Sequence, residues 1–363
     1  MTGPRVFFRA DADRRIGTGH IARCRCLARG LLKRGVPSTF LVAGPSSPVT
    51  ESLEREGFEV LALPEGPSDE TVALAVAISS SGADRTLLVV DSPLPSFYSG
   101  GFQEGIRSRG VRLMMIAFRS EGHFAADAVH NQNLIALEEG YSAEAHTRLL
   151  LGPRYVILDE RFSRLRGSRS NPSAADADTL FLFFGGADAS NLTMRVLRSL
   201  ASLEHPLRRV ITVVGPLHGR TDEISAFARA NPGLPVDLHV DTPMMPELMA
   251  EADIAVTSGG LTIWELACLG VPNVVISTSE RERIHTPLLE RRGGCLYLGH
   301  QDAVTEPAIR EAVSRLFADP ARRAEMARAG RKLVDGRGTE RVIEQVMDLL
   351  SQSTEDLRKG GKP

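Results

Sequence analysis

The chain lacks the features that mark several protein classes. Its four cysteines, Cys24, Cys26, Cys268 and Cys295, are too few and too scattered for a disulfide framework. Cys24 and Cys26 lie one residue apart in a stretch that reads as helix. Their side chains there point away from each other, which argues against a metal site. Charge of one sign is also missing: 43 Lys and Arg against 45 Asp and Glu leave a formal net charge of −2. That balance gives no long-range attraction for nucleic acid or an anionic membrane, so neither is expected as a partner. No apolar run approaches the roughly 20 residues that a membrane helix needs, and membrane insertion is not expected. The opening Met1-Thr-Gly-Pro-Arg5 runs directly into a strand and reads as having no secretory leader, so the cytoplasm is the expected compartment. No segment fits GxxxxGK[ST], HExxH or a paired CxxC, which weighs against a P-loop or structural zinc.

What is present is an alternation of short apolar runs with helical segments. With 363 residues, 42% of them apolar and 24% charged, the chain suits a globular protein of about two domains. In the first half, strands are expected at 5–9, 38–43, 58–62, 86–91 and 111–117, and helices at 20–34, 48–56, 69–81 and 98–109. A second series starts at Thr179 and continues with strands at 209–214, 236–240, 254–257 and 273–277. Its helices are expected from the turn after residue 191 to about 203, then at 221–230 and 244–251. Such alternation implies parallel sheets covered on both faces. The expected fold is α/β, two doubly wound, Rossmann-like domains facing across a cleft. The first domain spans 1–162. A Ser- and Arg-rich linker covers 163–178, the second domain spans 179–337, and a terminal helix with a frayed tail covers 338–363.

Three glycine turns fall where such sheets bind ligands. The first lies in Arg9-Ala-Asp-Ala-Asp-Arg-Arg-Ile-Gly-Thr-Gly-His-Ile-Ala-Arg23, where a strand leads through Gly17 and Gly19 into a helix. Free N–H groups and a partial positive charge gather at such a helix start. His20, in the first turn, is either a proton acceptor facing a ligand or a capping or packing histidine. Leu87-Leu-Val-Val-Asp91 is a buried-strand pattern that ends in a carboxylate at the same edge. The second turn is Ser258-Gly-Gly-Leu-Thr262. It either sets a diphosphate against the N–H groups of Gly260, Leu261 and Thr262, or simply opens a helix. Glu265 correspondingly either accepts ribose hydroxyls or completes a capping box with Thr262. The third is Gly185-Gly-Ala-Asp188, whose glycines allow close approach of a ligand or of a packed helix. Asn191 and Thr193 either line that turn or cap the following helix.

These segments in this order resemble the UDP-2,4-diacetamido-2,4,6-trideoxy-β-L-altropyranose hydrolases of the pseudaminic acid pathway. The likeness rests on Arg9-Ala-Asp11, Gly17-Thr-Gly-His20 with Arg23, Gly185-Gly-Ala-Asp188, and Ser258-Gly-Gly-Leu-Thr262 with Glu265 and Gly270-Val-Pro272. Asp127-Ala-Val-His-Asn131-Gln-Asn133 and Leu150-Leu-Gly-Pro-Arg-Tyr155 are similar to the family's middle segment, so the resemblance spans about residues 5–300. The Ser258–Pro272 piece is also shared with inverting glycosyltransferases of GT-B architecture.

The resemblance implies a UDP-linked amino sugar as small-molecule substrate, with His20 as general base on a water attacking the anomeric carbon. Substrate contacts would come from Arg9, Asp11, Gly17, Gly19, Arg23, Asp91, Asn131, Gly185, Gly186, Asp188, Ser258, Gly259, Gly260, Leu261, Thr262 and Glu265. Backbone dipoles, with Arg9 or Arg23, would replace a divalent metal, and no cofactor is implied. Three departures affect the sugar-facing side. Pro93 stands where the family has an aromatic, Ala117-Phe118 replaces paired aspartates, and Glu280-Arg-Glu-Arg-Ile-His285 replaces an Asn-Gln pair. His285 either compensates or is solvated. A GT-B glycosyltransferase using the same base is the alternative function, and a nucleotide-sugar-binding protein without catalysis is a third.

Overall fold

Most strands of the two main sheets are short apolar runs, because a parallel strand covered on both faces has no polar side. The computed structural model describes residues 3–12, 16–44, 47–63, 70–118, 120–166, 177–203 and 207–352. The first part of the chain holds strands β1 (Arg5–Ala10), β2 (Ser38–Ala43), β3 (Glu59–Leu63), β4 (Thr86–Asp91), β5 (Arg112–Ile116), β6 (His123–Phe124), β7 (Ala128–Asn131), β8 (Ser142–Ala143) and β9 (Arg148–Leu151). Its helices are α1 (Gly19–Leu32), α2 (Pro48–Arg55), α3 (Glu70–Ser79) and α4 (Gly100–Arg107). After α5 (Glu160–Leu165) come β10 (Thr179–Phe183), α6 (Leu192–Ala201), β11 (Arg209–Val214), α7 (Thr221–Ala230), β12 (Val236–Val240) and α8 (Met245–Glu251). The chain continues through β13 (Ile254–Thr257), α9 (Thr262–Leu269), β14 (Asn273–Ser277), α10 (Glu280–Arg291) and β15 (Leu296–His300). It ends in α11 (Glu306–Ala318), α12 (Pro320–Leu333) and α13 (Gly338–Ser351).

The chain forms two compact units. The first contains residues up to Ala12, His20–Ile157 and the chain from Gly338 onward; the second contains Leu158–Arg337, with residues 16–19 grouped to it. The first unit is built on a parallel sheet of order β3-β2-β1-β4-β5-β7-β9, and β6 and β8 pair separately. Alternation along the strands divides its core. Val6, Phe8, Leu87 and Val89 face α1, whereas Phe7, Leu41, Leu88 and Val90 pack with Phe97, Phe102 and Ile106 on the other side. The second unit has a parallel sheet of order β12-β11-β10-β13-β14-β15 with its own core. In each sheet the winding direction reverses once, between β1 and β4 and between β10 and β13. Ligands of open α/β sheets bind at such switch points, beyond the carboxyl ends of the strands.

The expected terminal helix forms as α13, and its Val342, Ile343, Val346, Leu349 and Leu350 fill the α1 side of the first core. Gly30 makes room for it, since a Cβ there would lie 2.2 Å from Ile343 Cδ1. Of the expected linker, 163–165 form the end of α5, while 167–176 lie outside the described residues. The expected frayed tail, 353–363, lies outside them as well.

Candidate functional site

At the switch point of the first unit, Asp91 ends β4 in register with Ala10 of β1. It shares the face of Leu87 and Val89, so its carboxylate points toward α1. His20 and Arg23, three residues apart, lie on one side of the first turns of that helix. His20 Nδ1 lies 2.6 Å from Asp91 Oδ1. Arg23 grips the same carboxylate with two hydrogen bonds, Nε to Oδ2 at 2.9 Å and Nη2 to Oδ1 at 2.8 Å. Burial alone would raise the Asp91 carboxyl, but Arg23 and His20 outweigh it and bring it down to about 2. Asp91 is therefore an anion at neutral pH, and His20 donates to it from Nδ1. Phe118 closes the group: its ring packs edge-on to His20 at 5.5 Å and lies 4.9 Å from the Arg23 guanidinium.

Several residues assigned to substrate from the sequence have partners within the protein. Arg9 lies on the opposite face of the sheet from His20, paired with Asp11 at 2.5 Å and set over the Phe97 ring. Asp11 accepts the Ala43 N–H at 2.9 Å. Arg23, expected near a diphosphate, is committed to Asp91. Asn131 donates to Tyr141 Oη and accepts from the backbone and side-chain N–H groups of Asn133, which fixes the bend after β7. Gly17 adopts φ 75°, and Gly19 is the first residue of α1. Two neighbours went unread in the sequence. Tyr98 reaches the Ser92 carbonyl, so an aromatic hydroxyl comes back beside Pro93 from five residues further on. His130 is fully buried, with Nε2 2.8 Å from the Tyr155 carbonyl, and burial pulls its pKa down to about 4.

In the second unit, the turn Ser258–Leu261 joins β13 to α9 at the other switch point. The Gly259 peptide is held on both sides by α10. Its carbonyl accepts from His285 Nε2 at 2.7 Å, and its N–H is bonded to the Glu282 carboxylate. A Cβ on Gly259 would lie 2.5 Å from Thr286 Oγ1, so this glycine is needed for packing against α10. Ser279 caps α10, accepting from the Glu282 N–H, while the Glu282 side chain accepts from Ser279 and Thr278 N–H groups. That is a capping box, legible as Ser279-x-x-Glu282. His285 is buried rather than solvated, and burial lowers its pKa.

The expected box at Thr262 does not form. Leu261 is the N-cap and caps with no side chain, because Thr262 is already helical. The Thr262 hydroxyl bonds the Glu265 carboxyl, which burial pushes up to about 7 against that bond, with the Asp159 charge adding to the rise. At the third turn Gly185 adopts φ 86°. Asn191 occupies the N-cap position of α6 in a left-handed conformation, without capping. Asp188 caps instead, accepting from Leu192 and Thr193 N–H groups at 2.9 Å each, with His218 Nε2 3.6 Å away. Asp188 thus occupies the helix start that a ligand anion would use. Among the described residues, no group of three His, Cys, Asp or Glu side chains is arranged to hold a metal ion.

Comparison with known proteins bears on both units. Solved MurG of Acinetobacter baumannii superposes with a TM-score of 0.70 at 15% identity, over 95% of this chain and 99% of that one. The fold is GT-B-like. A UDP-glucosyltransferase from Polygonum tinctorium shares it with a TM-score of 0.64 at 15% identity, over 97% and 100% of the two chains. Residues 179–346 match the glycosyltransferase family 28 C-terminal domain, which covers nearly all of the second unit and the start of α13. The spore coat polysaccharide biosynthesis protein SpsG of Bacillus subtilis (strain 168) is 25% identical over 347 residues, 94% of this chain and 98% of that protein. Among the described residues, no helix is long and apolar enough to cross a membrane.

Proposed function

We propose that this protein is a nucleotide-sugar-dependent glycosyltransferase, with the second unit binding a UDP-sugar and the first supplying the base. The observation that carries the reading is the 2.6 Å pair of His20 and Asp91 at a sheet switch point. A histidine whose Nδ1–H is held by a buried carboxylate presents Nε2 to take a proton, the arrangement that activates a hydroxyl nucleophile. The acceptor hydroxyl gives its proton to Nε2 as its oxygen attacks the anomeric carbon. The bond from that carbon to the diphosphate breaks, and UDP leaves with the electron pair. The start of α9, at Gly260, Leu261 and Thr262, offers N–H groups for the charge that develops on the leaving group. Glu265 in its carboxylate form accepts ribose hydroxyls.

The match of residues 179–346 to a glycosyltransferase domain supports transfer over hydrolysis. Hydrolysis is the second reading, favoured by the Gly17-Thr-Gly-His20-x-x-Arg23 unit, and it uses the same base with water in place of the acceptor. UDP release from a panel of UDP-sugars, with and without saccharide acceptors, separates the two. Acceptor-dependent release with a glycosylated product supports transfer. Equal release without acceptor, yielding free sugar, supports hydrolysis. UDP-sugar binding with neither product would refute the catalytic role of His20.

A further inference from the structure

The position of Arg23 carries more than the integrity of a buried ion pair. Its Nη2 lies 2.8 Å from Asp91 Oδ1 and 3.3 Å from His20 Nδ1. Two donors, Nη2 and Nδ1, therefore converge on a single oxygen, while Nε holds the other oxygen. A planar guanidinium bound through two parallel N–H groups fixes a carboxylate in rotation as well as in place, which an ammonium cannot do. The guanidinium is itself held, with Asp91 at its edge and the Phe118 ring 4.9 Å away, and Arg23 is only 6% exposed.

Charge follows from the same geometry. A lone carboxylate beside an imidazole favours the imidazolium and so keeps the proton on the base. Here the carboxylate is already paired, and a cation stands next to Nδ1. We propose that Arg23 is a positioning residue for His20: it orients Asp91 so that the carboxylate holds the Nδ1–H of His20 and leaves Nε2 as the atom that acts as base. This rests on the assignment of His20 as base. The other titratable groups facing the trio are Cys24 on α1, Tyr98 from the turn 95–98 and His130 on β7. Burial keeps the Cys24 thiol and the His130 ring neutral near pH 7. Arg23 and Asp91 therefore supply the fixed charges that His20 meets there.

Two variants test the two-point grip. Arg23→Lys keeps the cation and loses the two-point grip. Its kcat should fall at least tenfold with KM for the UDP-sugar within about twofold. Arg23→Gln removes the grip and the cation together, and its kcat should fall at least as far as that of Arg23→Lys. Nitrogen-15 NMR of labelled histidine in the free protein reads the tautomer without any substrate. The wild type should show the Nδ1–H form at His20, and Arg23→Lys should show an increased share of Nε2–H. The NMR result stands even if UDP-sugar turnover is never found, so failure of this inference is distinguishable from failure of the enzymatic reading. An unchanged tautomer in folded Arg23→Lys would overturn the proposal. So would a raised KM with unchanged kcat in both variants, which would place Arg23 on the substrate. Should Arg23→Gln not fold, the NMR and kcat measurements on Arg23→Lys decide.

Discussion

In the unfolded chain His130 takes up a proton near its ordinary 6.5, whereas in the folded chain burial delays that step to about 4. The cause lies in its surroundings. Nε2 donates to the Tyr155 carbonyl, Nδ1 has no hydrogen-bond partner among the described residues, and the Arg23 charge opposes a second cation nearby. Between those two pH values the unfolded state holds the proton and the folded state does not, so stability falls as pH falls. It is fully present above about pH 6.5 and lost progressively toward about pH 4. A gap of about 2.5 units at ~1.4 kcal/mol each amounts to about 3 kcal/mol, most of it gone by about pH 4.5. His130→Gln keeps an N–H for the Tyr155 carbonyl and removes the titration. Urea unfolding of both proteins at several pH values between 7 and 4.5 measures the effect. The wild type should lose about 2–3 kcal/mol more than the variant over that range. Parallel curves would refute the reasoning.

Other expectations concern the two switch points. His20→Ala should lower turnover by roughly 10²–10⁴ while UDP affinity, read by calorimetry, stays within a few fold. A variant that turns over normally removes His20 from the chemistry. Because Glu265 sits at about 7, UDP binding should tighten as pH rises from 6 to 8 and its carboxylate forms. In Glu265→Gln that pH dependence should be absent, and its persistence would free Glu265 from the ribose role. Gly259→Ala forces a methyl against Thr286 Oγ1 and should destabilise the protein by about 1–3 kcal/mol in thermal unfolding. An unchanged Tm would mean that the turn moves away from α10 at little cost.

The strands read from the sequence lie within about a residue of those observed, because a run such as Leu87–Val90 has no other comfortable place than between two helical layers, whereas the short β7 and β9 and the half-exposed β15 went unread. The glycine turns were legible for the same local reason. What sequence could not show was who fills each helix start. Asp188 and Asn191 are both cap-forming residues, and only the left-handed backbone at Asn191 hands the role to Asp188. Arg9 and Arg23 look alike in sequence, and the parity of β1 puts one behind the sheet while the helix puts the other on Asp91. Phe118, read as the loss of an acidic pair, is the ring packed against both His20 and Arg23. The local signal at Ser279-x-x-Glu282 was there to be read. Its reach to Gly259 depends on two strands lying side by side, and spacing along the chain does not encode that.

The return of α13 to the first core gives the protein an order of assembly. On the ribosome the strands of the first sheet emerge early, yet the surface around Gly30 waits for Ile343 and its neighbours, which are made after the second unit. The second unit, nearly contiguous from Leu158 to Arg337, is synthesised in full before that happens. The unit that carries the His20–Asp91 pair is thus begun before the second unit and completed after it. A ribosome stalling shortly before Gly338 would release a chain with a finished second unit and an open apolar groove on its first, a natural target for chaperones or proteases.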